Sequence, residues 1–168
     1  MPETTIPQLP AFHQAHGSGR SYWGPGDLYT FLVTGEESGG QYFSMLAVVP
    51  PNGGPPPHTH SNEDETFYVL EGTPTFRLGD ERIVAGPGSF VNVPKGVLHC
   101  FRNFSDEPVT MILTFTPSGI EKFFEETLER AYDITAACPD NLEEVGQRYA
   151  EAAPRYGMEF FLEAEPAA

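Results

Sequence analysis

The sequence predicts an all-β protein made of antiparallel strands in a sandwich or barrel, followed by C-terminal α-helices. Its 17 glycines, 17 prolines, 13 phenylalanines and seven tyrosines favour many short strands joined by tight turns. Up to Pro117, strand-like segments and turns alternate at the 8–12-residue spacing of such folds. After Pro117, apolar residues recur at helical spacing instead.

We expect three segments along the chain. They are an extended N-terminal arm over residues 1–25, a β-barrel over residues 26–117 and a helical extension over residues 118–168. The arm is rich in proline and has little periodicity, so it should lie over the body or over a second subunit. We interpret its His13 and His16 as solvated, because the arm lacks the rigid scaffold that a site needs.

Eight segments are predicted as strands, because each is rich in β-branched or aromatic residues and is bounded by turn-forming residues. They cover residues 28–34, 41–49, 65–71, 73–78, 81–84, 89–93, 98–103 and 109–116. Residues 41–49 are apolar on both faces, as in a strand covered on each side. Residues 35–40 are predicted as a turn, and the proline-rich residues 50–57 as a rigid loop that leads to His58 and His60.

Two helices are predicted in the C-terminal extension. Residues 118–121 have the spacing of a capping box, and the apolar positions over residues 120–131 have a helical period. A second, weaker helix is expected over residues 140–152. These helices should lie across the wall or the mouth of the barrel, and the tail from Glu163 should fray.

Charge and composition exclude several classes of partner. Nine basic and 24 acidic residues leave a formal net charge of −15, which repels phosphate backbones and anionic lipids. We therefore expect neither a nucleic-acid nor a membrane partner. The two cysteines form no CxxC pair, the N-terminus lacks a secretory signal pattern, and no run reaches the length of a bilayer span. These features predict a cytoplasmic protein.

Three of the five histidines and one glutamate lie in two blocks, residues 54–72 and residues 88–103, which are rich in glycine and proline. His58 and His60 are two residues apart, so on an extended segment they point to the same face. Glu65 and His99 can converge on them from later strands. Neutral imidazoles with one carboxylate suit one divalent first-row ion, whereas a structural zinc site is usually rich in cysteine. The alternative is three structural histidines, and the ion stays open among iron, nickel, manganese, cobalt and zinc.

We expect an apolar substrate pocket beside this site. The expected wall residues lie on the ligand-bearing strands or on their neighbours: Met45, Phe67, Phe101 and Phe115. Few other polar groups are expected there, so the metal should carry the chemistry, with Glu65 as a candidate base. Cys100 adjoins His99, so strand alternation should turn it to the opposite face and exclude it as a ligand.

The two blocks resemble the two sequence motifs of the cupin superfamily. The second block has every residue of its motif: Gly88, Pro94, Gly96, His99 and Asn103. The first block matches at His58, His60, Glu65 and Gly72. Its opening glycine is displaced, because Asn52 holds that place and Gly53 and Gly54 follow. The short separation of the blocks is that of small single-domain cupins.

The resemblance implies a fold, a site and an activity. The fold would be a double-stranded β-helix, the small double-sheet jelly roll of the cupins. The implied metal ligands are His58, His60, Glu65 and His99. Residues 68–72 and 121–125 are similar to those of small bacterial cupins that resemble quercetin dioxygenase. This implies a dioxygenase that binds a flavonol, an aromatic polyketide or another small enol at the metal, with Glu65 as the base.

Two other functions stay open, because a fold does not determine a function. The same site could serve an isomerase, a lyase or a polyketide-modifying enzyme without oxygen, or it could bind a small molecule without catalysis. The resemblance also implies a homodimer. An apolar outer face around Phe31 and Val33 would be compatible with it.

Overall fold

In the computed structural model, which describes residues 8–162, two antiparallel β-sheets enclose an apolar core. The strands are β1 Ser21–Trp23, β2 Leu28–Val33, β3 Phe43–Val49, β4 His58–His60, β5 Asp64–Glu71, β6 Thr75–Leu78, β7 Glu81–Val84, β8 Phe90–Val93, β9 His99–Arg102, β10 Val109–Thr116, β11 Glu129–Arg130 and β12 Met158–Phe160. The helices are α1 Gly35–Ser38, α2 Glu121–Thr127 and α3 Leu142–Ala152, and a 3-10 turn covers Ala153–Tyr156. The predicted all-β fold with C-terminal helices is confirmed.

The strand order divides the four candidate metal ligands between the two sheets. The larger sheet has the order β11-β1-β2-β3-β10-β5-β8, and the smaller has the order β12-β4-β9-β6-β7. Strand β5 carries Glu65 in the larger sheet, while β4 and β9 carry the three histidines in the smaller one. A cluster of these residues must therefore form in the space between the sheets.

Aromatic side chains fill much of that space. Five phenylalanines are at most 1% exposed: Phe43, Phe67, Phe76, Phe115 and Phe123. The Phe31 ring stands edge-on to Phe43 with centroids 4.7 Å apart, a geometry that adds to the gain from burial. Phe31 is only 2% exposed, so the expectation of an outer apolar face around it is wrong. Strand β2 turns Phe31 into the core, and Val33 is half-buried.

Strand β1 lies in the segment predicted to be an extended arm. It pairs with β2 on one side and with β11 on the other, and the Tyr22 ring packs against Phe31 at 4.8 Å. Three residues are too few to show a periodicity, so this strand is defined by its partners. The arm prediction for residues 1–7 and the fraying prediction for the tail from Glu163 lie outside the described residues. His13 and His16 are exposed, as expected.

Residues 35–40, predicted as a turn, begin with the single helical turn α1. The Glu37 carboxylate accepts hydrogen bonds from the backbone N–H of Thr34 at 2.8 Å and from its hydroxyl at 2.9 Å. Threonine followed three residues later by glutamate is a capping pattern, so this stretch carried a helix-start signal. Gly39 ends the turn with a left-handed φ of +66°.

Helix α2 differs from its prediction at both ends. It has no side-chain cap at its start, so the capping box predicted over residues 118–121 is wrong. Glu121 instead accepts hydrogen bonds from the N–H groups of Gly119 at 2.7 Å and Gly35 at 2.8 Å, which ties α2 to α1. The helix ends at Thr127 because the chain then enters β11 and pairs with β1. Among residues 8–162, no helix is long and apolar enough to cross a membrane.

Candidate metal centre

Strands β4 and β9 place three histidines side by side. His58 and His60 are buried on one face of β4, with the half-buried Thr59 between them. His58 lies directly opposite His99 of β9. The loop before β4 runs close against β9 at Gly54, where φ is +126° and a Cβ would collide with the carbonyl oxygen of Phe101. Only glycine allows this close approach.

Glu65 reaches the histidines from the opposite sheet. Its strand β5 lies between β10 and β8. One carboxylate oxygen, Oε2, lies 2.9 Å from Nε2 of His99 and 3.3 Å from Nε2 of His60. One carboxylate oxygen from the larger sheet therefore contacts two imidazoles of the smaller sheet across the interior.

The four side chains bring one donor atom each into a buried cluster, and these atoms lie within 4.8 Å of one another. Nδ1 of His58 lies 2.9 Å from the Pro56 carbonyl, and Nδ1 of His99 lies 2.9 Å from the Val97 carbonyl. A proton on each Nδ1 leaves the Nε2 lone pair free to bind a metal. Two donor atoms on opposite sides of one ion, each bonded at about 2.1 Å, would lie roughly 4.2 Å apart. The four donor atoms would therefore need to move only slightly closer together to bind a single ion.

The pKa values of the clustered side chains also favour the binding of a cation. Burial and the neighbouring His99 and His60 lower the pKa of His58 to about 3, which keeps its imidazole neutral. Burial would raise the pKa of Glu65, but hydrogen bonds from His60 and His99 outweigh it and hold that pKa well below the ordinary value. Burial lowers the pKa of His60, yet Glu63 and Glu65 outweigh it and raise this pKa to about 9. A cation at the cluster would compete with the His60 proton for the same lone pair.

A small apolar cavity of about 40 Å³ adjoins the cluster. Three of the expected wall residues line it, namely Met45, Phe101 and Phe115. Phe67 is not among the lining residues, contrary to the prediction. Its ring packs against Phe76 at 5.0 Å and Phe101 at 5.8 Å, so it fills the core behind the wall.

The C-terminal extension supplies wall residues that the sequence did not assign to the site. They are Phe123, Phe124, Tyr149, Met158 and Phe160. The helices were expected across the wall or the mouth, but strand β12 was not predicted. It pairs with β4 and sets Met158 opposite His60 and Phe160 opposite His58. No local signal identifies this strand, because it has only three residues.

Asp27 and Tyr29 form a buried polar pair, of which Tyr29 lines the cavity. The Tyr29 hydroxyl donates a 2.8 Å hydrogen bond to Oδ2 of Asp27, whose other oxygen has no hydrogen-bond partner among the described residues. Burial raises the pKa of Asp27 to about 7, against the lowering effect of the Tyr29 hydrogen bond. Tyr29 lines the cavity together with Tyr149, whose buried hydroxyl also lacks a partner in residues 8–162.

Two asparagines hold the loops beside the site. Asn52, which stands in place of the first motif's glycine, has a φ of +64°, a left-handed conformation that asparagine tolerates. Its N–H donates to the carbonyl of Asn103 at 2.7 Å. The buried Asn103 amide donates in turn to the carbonyls of Val49 and Glu107. Cys100 is buried on β9 and is not one of the four clustered donors, as expected.

Similarity to known proteins agrees with this architecture. The family model of the cupin domain matches residues 45–115, which include all four candidate ligands. Quercetin 2,3-dioxygenase from Bacillus subtilis (strain 168) is 28% identical over 152 residues, which are 90% of this chain and 44% of that enzyme. This chain therefore spans less than half of the length of that relative.

Solved structures share the fold at low sequence identity. A predicted oxalate decarboxylase from Thermotoga maritima has a TM-score of 0.59 and 14% identity, covering 64% of this chain and 99% of that chain. KdgF from Halomonas sp. has a TM-score of 0.58 and 18% identity, covering 68% of this chain and 99% of that chain. At such identities the likeness concerns the fold alone. The two-sheet topology, the two motifs and the family match together show that this chain contains a cupin domain.

Proposed function

We propose that this protein is a metal-dependent enzyme of the dioxygenase type, which acts on a small aromatic or enol substrate. The observation that carries the proposal is a buried set of three imidazoles and one carboxylate at the wall of an apolar cavity. The similarity to quercetin 2,3-dioxygenase over 90% of the chain supports this choice of reaction class. Fold alone would support no particular reaction.

In this proposal the cluster holds one divalent ion of iron, nickel, manganese, cobalt or zinc. Its ligands are His58, His60, Glu65 and His99. When bound, the ion would act as a Lewis acid that polarises a substrate oxygen and, if redox-active, would support chemistry with dioxygen. Backbone carbonyls behind His58 and His99 orient these two rings before any ion arrives.

Glu65 is the candidate general base. It is the only carboxylate among the described residues that line the cavity, so it is the group placed to accept a proton from a substrate hydroxyl. The aromatic and aliphatic wall would exclude water from the substrate. Charge interactions at the cluster would be correspondingly stronger.

The size of the cavity favours a second candidate. A volume of about 40 Å³ holds a few waters but not a multi-ring flavonol, unless the wall moves. The alternative is a non-oxidative isomerase, lyase or polyketide-modifying enzyme that uses the same metal on a smaller carbonyl or enol substrate. The third possibility, a binding protein without catalysis, is favoured by the scarcity of acid–base groups beside Glu65.

The first test measures metal content by mass spectrometry, on protein purified without chelator. We expect close to one transition-metal ion per chain, and loss of that ion in the double variant His58→Ala, His60→Ala. The matched control is His13→Ala, His16→Ala, which removes two exposed histidines outside the cluster. Wild-type protein that is empty and takes up no added iron, nickel, manganese, cobalt or zinc would overturn the proposal.

The second test separates the candidate reactions. Metal-loaded protein is assayed with flavonols, catechols and small enols, with dioxygen and under anaerobic conditions. We expect oxygen-dependent turnover, and about 100-fold slower turnover in Glu65→Gln at equal metal content. Anaerobic turnover would favour the isomerase or lyase, and bound metal without any turnover would favour the binding protein.

A further inference from the structure

The three histidines of the cluster differ in the group that lies beside their Nδ1 atoms. His58 and His99 each place this atom 2.9 Å from a backbone carbonyl. Nδ1 of His60 has no hydrogen-bond partner among the described residues. The group that faces it is a carboxylate, because Oε2 of Glu63 lies 3.5 Å away.

Glu63 is buried although the proposed function gives it no role. It is 4% exposed, and its Oε2 atom also lacks a hydrogen-bond partner in the described part of the chain. A carboxylate removed from water without a partner is costly, so its burial calls for a compensating interaction. The 3.5 Å separation from His60 is slightly longer than a normal N–H···O bond. A shift of a few tenths of an ångström would pair the two atoms.

The two carboxylates near His60 lie at different nitrogens of its ring. Glu65 approaches Nε2 at 3.3 Å, on the side of the donor cluster. Glu63 approaches Nδ1, the other ring nitrogen. Glu63 therefore does not compete with Glu65 for the ion, and it can act on the ion only through the imidazole.

We infer that Glu63 is a positioning residue, which accepts a hydrogen bond from Nδ1 of His60 and holds Nε2 of that ring toward the metal. The inference rests on the metal binding proposed above. A proton on Nδ1 places the lone pair on Nε2, so Glu63 selects the tautomer that can bind a cation. The negative charge of Glu63 also makes the His60 imidazole a stronger electron-pair donor to the metal. The neutral carbonyls behind His58 and His99 have a smaller effect of this kind.

The deciding experiment measures dissociation constants for Zn²⁺ and Co²⁺ by competition with a chromophoric chelator. Glu63→Gln keeps the shape and an acceptor oxygen but removes the charge, so we expect binding about 10-fold weaker than in the wild type. Glu63→Leu removes the acceptor as well, and we expect binding about 100-fold weaker. The control is Asp64→Asn, which removes a charge at the next residue, an exposed aspartate bonded to the N–H of Lys95. The control should bind like the wild type.

Nitrogen-15 NMR of the Zn²⁺-loaded protein supplies a readout that a general loss of stability would not produce. The Nδ1–H signal of His60 should shift in Glu63→Gln, while those of His58 and His99 should stay in place because their carbonyl partners are unchanged. If Glu63→Leu does not fold, the isosteric Glu63→Gln decides the question. Binding by Glu63→Gln within twofold of the wild type would overturn the inference about Glu63 alone. Wild-type protein that binds neither ion would overturn the proposed metal site as well.

Discussion

Glu65 links the two sheets at the level of a single side chain. Its carboxylate comes from the larger sheet and meets His60 and His99 of the smaller sheet at 3.3 Å and 2.9 Å. A buried carboxylate is stable only with partners of this kind. The same arrangement that supplies a candidate metal ligand therefore also helps to determine how the sheets pack.

Asp27 should make the stability of the protein depend on pH. Its pKa is raised from 3.8 to about 7 by burial, so the folded state binds this proton more tightly than the unfolded state. The contribution of Asp27 to the free energy of unfolding is complete below 3.8 and falls as the pH rises to about 7, where it levels off. Relative to Asp27→Asn, we expect the free energy of unfolding of the wild-type protein to fall by up to about 1 kcal/mol per pH unit over this range.

Urea unfolding of both proteins between pH 4.5 and pH 8 measures this difference. Asp80→Asn is the control, because Asp80 is an exposed residue in the turn between β6 and β7. The asparagine in Asp27→Asn can still accept the Tyr29 hydrogen bond, so the comparison mainly reports the titration. A stability difference that does not change with pH would contradict the prediction.

Among the secondary-structure elements, the short strand β12 forms part of the cavity wall through Met158 and Phe160. This strand pairs with β4, and the Phe160 ring packs against His58 with centroids 5.6 Å apart. We expect Phe160→Ala to open the cavity and to lower the KM for multi-ring substrates relative to single-ring substrates, because the wall loses a large side chain. Metal content should not change, since Phe160 is not one of the four donors.

Steady-state kinetics with paired small and large substrates test this role of β12. Phe161→Ala is the matched control, because Phe161 is the next residue along the chain and is not among the cavity-lining residues. An equal change of KM for both substrate sizes in Phe160→Ala would show that β12 does not select by size.

At the scale of the whole molecule, one apolar surface suggests self-association. Tyr68 and Leu70 of β5 and Phe90 of β8 are 44%, 39% and 63% exposed, and Tyr68 lies directly opposite Phe90. Strand β8 is also an edge strand of the larger sheet. Apolar patches and open sheet edges of this kind are usually covered by a partner.

We predict a homodimer that buries this surface. Light scattering coupled to size-exclusion chromatography should give twice the 18.5 kDa of one chain. Phe90→Asp should shift the protein toward the monomer, whereas Phe104→Asp, at a phenylalanine outside this surface that is 45% exposed, should not. A monomeric wild type at micromolar concentration would refute the prediction.

Elements and residues that carry a local signal could be predicted from the amino-acid sequence alone. Strands β5 and β10 have eight residues each and were predicted within one residue of their bounds, because alternation is visible over that length. The four candidate ligands were found because the spacing of His58, His60 and Glu65, and the motif around His99, are local patterns. Glu63 carried a weaker signal: it lies two residues before Glu65, as expected for a shared strand face, but within a run of acids typical of a solvated loop.

The segments that complete the site from distant parts of the chain could not be predicted from local patterns. Strands β1, β11 and β12 have two or three residues and exist through hydrogen bonds to strands far along the chain, as β12 does with β4. The wall residues Tyr29, Met158 and Phe160 become neighbours of the cluster only after these contacts form. Local patterns in a sequence report periodicity and spacing, whereas burial, tautomer and cavity size depend on contacts between residues that are remote in the chain.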